Sequence, residues 1–305
     1  MNFEKAFEGK KTLVTGGLGF IGSNVARKLV SLGAEVTIVD AMIPKYGGNM
    51  FNISGIEKKV KLNIADVRDE STMNVLVRGQ DYLFNIAGQV SHIDSITDPY
   101  TDLEINCKSQ LTILEACKKN NTGVKIVYAG TRSQYGKADY LPVDEKHLIH
   151  PTDVNGINKA SGERYHIVYN DLYGIRACSL RLTNTYGPRQ MMKNSSQGFI
   201  AWFIRQAVDN ETIKIFGNGK QLRDFNYADD VVDAFLMAAA SEKANGEIYN
   251  IGSGKPVSVR GIAELLIETA GKGKLEMVPF PEDKKKIEIG DYYADYSKIK
   301  KALGW

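Results

Sequence analysis

Three glycines and one aspartate carry the first recognisable chemistry in this 305-residue chain. Gly16, Gly19 and Gly22 stand three apart in Gly16-Gly17-Leu18-Gly19-Phe20-Ile21-Gly22, and Asp40 closes the apolar run Val36 to Val39. The first glycine permits a tight turn, the second lets the backbone approach a pyrophosphate, and the third lets a helix pack close on a strand. The N-terminus of that helix turns its free N–H groups toward the anion. A carboxylate at Asp40 can accept hydrogen bonds from an adenosine ribose, and its charge disfavours a 2′-phosphate, so the expected cofactor is NAD rather than NADP. Glycine-rich turns also arise for steric reasons alone. Here the context of strand, turn, helix, strand and acid is complete, and that context makes the dinucleotide reading specific.

The elements that must hold this chemistry follow from the apolar pattern. Leu13-Val14 enters the glycine turn, an amphipathic helix runs to Leu32, and Val36 to Val39 is the second strand. Val60 to Ile64, Tyr82 to Ile86, Val124 to Tyr128 and Arg176 to Leu182 read as further strands. Between them Ser71 to Arg78, capped by Ser71, Leu103 to Lys119, and Val154 to Leu172 read as helices. Strands alternating with helices, with no hairpin signal, predict a parallel doubly wound sheet of the α/β class. Ligands of such sheets lie past the strand ends. Asp66-Val67 follows one end, where Asp66 reads either as an adenine contact or as a capping aspartate. Ala87-Gly88-Gln89 follows another and leaves room for a cofactor against the backbone. On the last helix Asn155, Lys159 and Glu163 are four apart, hence on one face.

Beyond Pro188 the pattern changes. Arg189 to Gly198 is loop-like, followed by helices at Phe199 to Val208, Asp229 to Ala240 and Val259 to Ala270, with short strands at Ile213 to Phe216 and Ile248 to Ile251. The expected division is a dinucleotide domain over 1–186, with later crossings near 229–262, and a smaller α/β substrate lobe over 187–305.

Composition is that of an ordinary globular protein, with 43% hydrophobic and 25% charged residues. A formal charge of +3 is too small to argue for nucleic acid as a partner. Lys284-Lys285-Lys286, flanked by Glu282, Asp283 and Glu288, reads as a solvated loop. Cys107, Cys117 and Cys178 have no metal or disulfide spacing and are expected to be reduced and buried, in a cytoplasmic setting. The four histidines form no ligand cluster, so no metal is expected. Neither a signal-peptide pattern nor a run of 18 apolar residues occurs, which predicts a soluble protein with no membrane partner.

TGGLGFIG, NIAGQVSH, GTRSQYG, RLTNTYGP, RDFNYADD and the terminal YSKIKKALGW, in this order and spacing, resemble the extended short-chain dehydrogenase/reductase superfamily. Within it the chain is similar to nucleotide-sugar epimerases and dehydratases of the UDP-glucose 4-epimerase type, over nearly its whole length. The resemblance implies a Rossmann domain that keeps its NAD and a smaller lobe closing over a nucleotide-diphosphate sugar. It further implies that a hydride leaves the sugar, commonly at C4, and a keto intermediate forms. Family members pair through two long helices, which implies a homodimer built on Leu103 to Lys119 and Val154 to Leu172. Relatives run on into a further helix past the position of Trp305, so a trimmed C-terminus is also expected.

The family's catalytic set is a Ser or Thr after the fifth strand and a YxxxK pair on the next helix. Thr131 matches the hydroxyl position and Lys159 the lysine, but Asn155 stands where the tyrosine belongs. A phenol beside an ammonium can take a hydroxyl proton, whereas a carboxamide cannot ionise in the working range. Losing a positioned base costs roughly 10²- to 10⁴-fold in rate. Three explanations stand open. Another group has taken the role, with Tyr135, His92, Ser133 and Tyr165 as candidates; the protein binds without efficient turnover; or the position has been engineered. His92 reads more readily as a structural loop histidine than as a catalyst.

The 4,6-dehydratases carry Asp and Glu directly after the threonine, where this chain has Arg132 and Ser133. Epimerisation, which needs no such pair, is therefore favoured over dehydration or decarboxylation. Arg132 reads as a surface arginine or as a fork for a uronic acid carboxylate. By resemblance Asn184 and Arg223 meet the diphosphate; Arg223 alternatively pairs with Asp224 or Asp229. Lys159 could instead be a surface lysine paired with Glu163.

Overall fold

Seven strands lie side by side in the order β11-β6-β5-β4-β1-β2-β3, and every neighbouring pair is parallel. The computed structural model describes residues 3–193, 195 and 198–305, without the side chains of Pro44, Asp283 and Lys284. The expected loop from Arg189 to Gly198 therefore lies partly outside the described residues, and the lysine run, expected as loop, begins inside a short helix over Glu282–Lys285.

The first half of the chain alternates as its pattern predicts. It runs β1 (Lys11–Thr15), α1 (Phe20–Ser31), β2 (Glu35–Asp40), β3 (Val60–Ile64), α2 (Glu70–Leu76) and β4 (Tyr82–Asn85). Then come α3 (His92–Thr97), α4 (Pro99–Leu103), α5 (Ser109–Asn120), β5 (Lys125–Thr131), α6 (Val154–Tyr173) and β6 (Ala177–Leu182). Leu13 packs with Val39, Leu83 and Ile126 on one face of the sheet, while Val14 packs with Ile38, Phe84 and Val127 on the other. Successive residues of a strand point to opposite faces, so both faces are core and the strands read as continuous apolar runs.

Helices α2, α5 and α6 cover the first face through Met73, Ile113, Leu114 and Tyr169. Helix α1 covers the second through Val25 and Leu29. The strand order reverses between β1 and β4, which opens a crevice at the carboxyl ends of the strands.

Three details differ from expectation. Helix α2 starts at Glu70 because Asp69, not Ser71, caps it by accepting from Thr72 N at 2.6 Å. The helix expected at Leu103 to Lys119 begins earlier, at α4, and passes through a π-turn over Glu104–Lys108 before α5. Cys107, in that turn, is half-buried and only Cys117 and Cys178 are buried.

The second half builds β7 (Asn184–Tyr186), α7 (Phe199–Val208), β8 (Thr212–Phe216), β9 (Leu222–Arg223), β10 (Phe225–Tyr227) and α8 (Ala228–Ala240). It ends with β11 (Ile248–Ile251), β12 (Val257–Ser258), α9 (Val259–Ala270), β13 (Lys274–Val278), α10 (Glu282–Lys285) and α11 (Ser297–Leu303). The chain crosses back: β11 joins the edge of the main sheet beside β6, and Phe235 of α8 and Ile299 of α11 pack into the core under α1. A separate small core of Phe203, Ala207, Ile213, Ile215 and Ala263 holds α7, α9 and the parallel pair β8–β13 together.

Candidate active site

A cleft of about 1180 Å³ runs along the carboxyl ends of the strands and between the two halves. Pockets for a single drug-sized ligand span about 300–1,000 Å³, so this one has room for two. Its floor at one end is the glycine turn. Gly16 has φ +68°, and a Cβ there would lie 2.9 Å from the backbone of Ala87. A Cβ on Gly22 would stand 2.1 Å from the Gly16 carbonyl oxygen. Gly19 is the N-cap of α1, with no side chain to cover the free N–H groups of the helix. Gly16, Gly19, Phe20, Ile21 and Gly22 all line the cleft. A cradle that a Cβ would fill, under an uncapped helix end, fits a dinucleotide pyrophosphate.

Asp40 sits at the end of β2 on the same cleft. Its Oδ2 accepts from Leu18 N at 2.9 Å and its Oδ1 from Met42 N at 2.8 Å, so it also ties the glycine turn to the next loop. Burial raises its pKa against those two bonds. Val67 and Ala87 line the wall. Asp66 lines it too, but its carboxylate is held by Arg68, whose Nε reaches both oxygens at 3.0 Å. Burial opposes ionisation of Asp66, yet the bonds from Arg68 together hold its pKa below the ordinary value.

The central group meets where β5 ends and α6 begins. Thr131 closes β5, and its Oγ1 accepts from the backbone N and the Oγ of Ser133, both at 3.2 Å. Lys159 is 6% exposed, not a surface lysine. Its Nζ donates to the Ala129 carbonyl at 2.6 Å and lies 4.5 Å from the Tyr128 ring centroid. Burial depresses its pKa to about 8, against the attraction of Asp102 and Glu163. Glu163, the expected i,i+4 partner, is bound instead to Arg181 at 2.5 Å inside the core.

Asn155 is 3% exposed. Its Nδ2 donates to the Gln89 carbonyl at 2.9 Å and to Asp102 Oδ2 at 3.1 Å. Both neighbours only accept, which fixes the amide orientation. Asp102 also accepts from Asn106 at 3.0 Å and Asn158 at 2.8 Å. The site where the resemblance expects a phenol is thus a closed polar network.

Of the four candidate replacements, two do not line the cleft. Tyr135 is buried beside Val143, Tyr292 and Ala294; its hydroxyl donates to Asn250 Oδ1 at 2.7 Å and accepts from Arg181 at 2.5 Å. Tyr165 packs on the sheet face covered by α5 and α6, next to Cys107, and does not line the cleft. Ser133 and His92 do line it. His92, the first residue of α3, has its Nδ1 2.6 Å from Asp153 Oδ2.

At the other end, Asn184 donates to the Asp224 carbonyl at 3.0 Å. Arg223 is buried and pairs with Glu288 at 2.8 Å rather than with Asp224 or Asp229. Arg132 is not a surface arginine. It lines the cleft with its guanidinium 5.3 Å from the Tyr292 ring centroid, and burial lowers its pKa to about 10. Its backbone carbonyl accepts from Tyr135 N at 3.0 Å, while among the described residues its guanidinium has the Tyr292 ring but no hydrogen-bond or ion-pair partner. Asp224 holds Ala294 N on Oδ2 at 3.1 Å, has its Oδ1 buried without a partner, and is raised by burial to about 6. Among the described residues no cluster of His, Cys, Asp or Glu could hold a metal.

The sequence pattern marks Gln89 only as part of a strand end against the cofactor, and assigns Asp102 and Asp153 no role. The four-residue step from Asp102 to Asn106 and the capping position of Asp153 before α6 were the available signals.

The family model for the NAD dependent epimerase/dehydratase family matches residues 12–252. A Methanocaldococcus jannaschii protein with a provisional UDP-glucose 4-epimerase name is 37% identical, over 96% of this chain and 92% of its own length. A UDP-N-acetyl-alpha-D-glucosaminuronate decarboxylase of Bacillus cytotoxicus is 32% identical, over 89% of this chain and 84% of its own. The UDP-glucose 4-epimerase of Thermotoga maritima, solved with UDP-glucose, superposes with a TM-score of 0.87 at 33% identity, covering 97% of this chain and 93% of that one.

Proposed function

The chain belongs to the NAD-dependent epimerase/dehydratase family, and on that footing we propose that it is a nucleotide-sugar epimerase working through a transient keto-sugar with recycled NAD. The observation that carries this is the convergence of Thr131 and Lys159 on the cleft that also holds the glycine cradle, with no carboxylate at 132 or 133. NAD, when bound, accepts a hydride from the sugar and returns it. Gly16, Gly19, Phe20, Ile21 and Gly22 hold its pyrophosphate, Asp40 its adenosine ribose, and Asp66, Val67 and Ala87 flank the adenine side and backbone wall.

Lys159 positions the nicotinamide ribose, Thr131 and Ser133 hold the sugar hydroxyls, and Asn184 and Arg223 bind the diphosphate. Asn155 fixes the start of α6 against Asp102 and moves no proton. In this reading residues 1–186 are mainly the cofactor domain and 187–305 mainly the substrate lobe. The exposed Leu103, Ile157, Val168 and Leu172 supply a homodimer face on α4 and α6, and the enzyme works in the cytoplasm.

The test is to incubate purified, NAD-containing protein with UDP-, dTDP-, GDP- and CDP-sugars and follow products by NMR. No turnover of any of them overturns the epimerase reading and leaves a protein that binds NAD and a nucleotide sugar without chemistry.

Arg132 favours a second reading of the substrate. A guanidinium half-buried in a cleft with no counter-ion fits a ligand that brings one. A sugar carboxylate suits its fork. The decarboxylase relative is named for such an acidic sugar.

A further inference from the structure

We propose that His92, oriented by Asp153, is the group that takes and returns the sugar hydroxyl proton; this rests on the epimerase reading. The chemistry needs an acceptor on the cleft, and Asn155 cannot be one. Arg132 and Lys214 on that surface are donors only, and the carboxylates there are committed, Asp40 to Leu18 N and Met42 N. Lys159 donates to the Ala129 carbonyl beneath the Tyr128 ring, Asp94 is paired with Lys45, Glu288 with Arg223, and Asp66 with Arg68. The phenol of Tyr46 is pushed up by burial, which makes it a poor proton acceptor near neutrality.

His92 differs from all of these. Its Nδ1 faces a carboxylate at 2.6 Å, so the ring donates there and Nε2 carries the lone pair. Nε2 has no partner among the described residues, and the side chain is 41% exposed. Asp153 is 4% exposed and doubly anchored, because its Oδ1 accepts from Gly156 N at 2.8 Å as the cap of α6. It therefore orients the ring and steadies the imidazolium rather than titrating itself, the division of labour of a histidine–aspartate pair. Position supports the role: Asp153 is two residues before Asn155, so the imidazole reaches the same helix end where the phenol is missing.

The step balances. The sugar O–H bond breaks, its proton goes to Nε2, and its electron pair forms the second bond of the new carbonyl as the carbon releases hydride to the bound dinucleotide. In the reverse direction, after the keto-sugar has turned over, the carbonyl carbon takes the hydride back on its other face while its oxygen takes the proton from Nε2–H, which restores the alcohol.

The test uses the NAD-containing protein with a nucleotide sugar that the wild type converts. His92→Gln should lower kcat by about 10²- to 10⁴-fold, with the nucleotide-sugar Kd unchanged within about threefold. Added imidazole should restore part of the activity of His92→Ala, and Asp153→Asn should lower kcat with little change in KM. A further readout does not depend on turnover: in ¹⁵N-histidine NMR, the signal lost in His92→Gln should shift in the wild type when UDP-glucose is added. A His92→Gln variant that keeps wild-type kcat, or that loses sugar binding in step with kcat, overturns the assignment while the epimerase reading stands. A wild type inactive on every sugar overturns both.

Discussion

Asn155 Nδ2 donates to the buried carboxylate of Asp102 at 3.1 Å, joining the first turn of α6 to α4. A tyrosine at 155 would have to leave that carboxylate one donor short and displace the bond to the Gln89 carbonyl. Asn155→Tyr should therefore lower stability by about 1–3 kcal/mol, the cost of an unsatisfied buried polar group. On the assignment of His92 as the base, it should not raise turnover. Urea unfolding with a parallel activity assay checks both; a large gain in turnover would mean a disabled site.

Arg132 should discriminate between acidic and neutral sugars. A charge-assisted fork to a carboxylate contributes about 1.5–3 kcal/mol, so Arg132→Met should weaken binding of UDP-glucuronate by about 10- to 100-fold and leave UDP-glucose little changed. Calorimetric titration of the matched pair decides it. Equal losses for both would place the guanidinium on the diphosphate.

Asp224 gives a pH-dependent prediction. Its carboxyl is raised to about 6 by burial, so the folded state holds a proton that the unfolded chain has released once the pH passes the ordinary value near 3.8. Stability is then lost as pH rises from about 4 through about 6. Asp224→Asn removes that titration and keeps an oxygen for Ala294 N. It should raise Tm relative to wild type above pH 6, by the equivalent of about 1–3 kcal/mol, with the gain vanishing near pH 4. Thermal melts between pH 4 and 8 test the sign.

What the sequence made legible was what local geometry decides. The glycine turn is a matter of one positive φ and two close approaches within a few residues, and the strands declare themselves because both faces of the sheet are covered. The pairings across the site are different in kind. His92 meets Asp153 and Asn155 meets Asp102 only because α3, α4 and α6 pack together, and no periodicity within one helix encodes that. Lys159 and Glu163 share a helix face as their spacing requires. Yet β6 brings Arg181 to Glu163, and burial of that pair overrides the surface i,i+4 bridge. The same holds for Arg223, whose partner Glu288 comes from a loop late in the chain.

Gly22 offers the most direct test of the cofactor cradle. A Cβ there would stand 2.1 Å from the Gly16 carbonyl oxygen, and the clash is with backbone that cannot rotate away. Either α1 is pushed off β1 or the turn opens, and both move the free N–H groups of α1 from the place proposed for the pyrophosphate. Gly22→Ala should thus emerge with little or no bound NAD and a lower Tm. Gly55→Ser is the control: Gly55 also has positive φ, but a Cβ there meets nothing within 4 Å, so it should lose some stability while retaining cofactor. The measurement is the NAD content of acid-released supernatants per mole of protein, and full occupancy in Gly22→Ala would remove the glycine turn as the cofactor's seat.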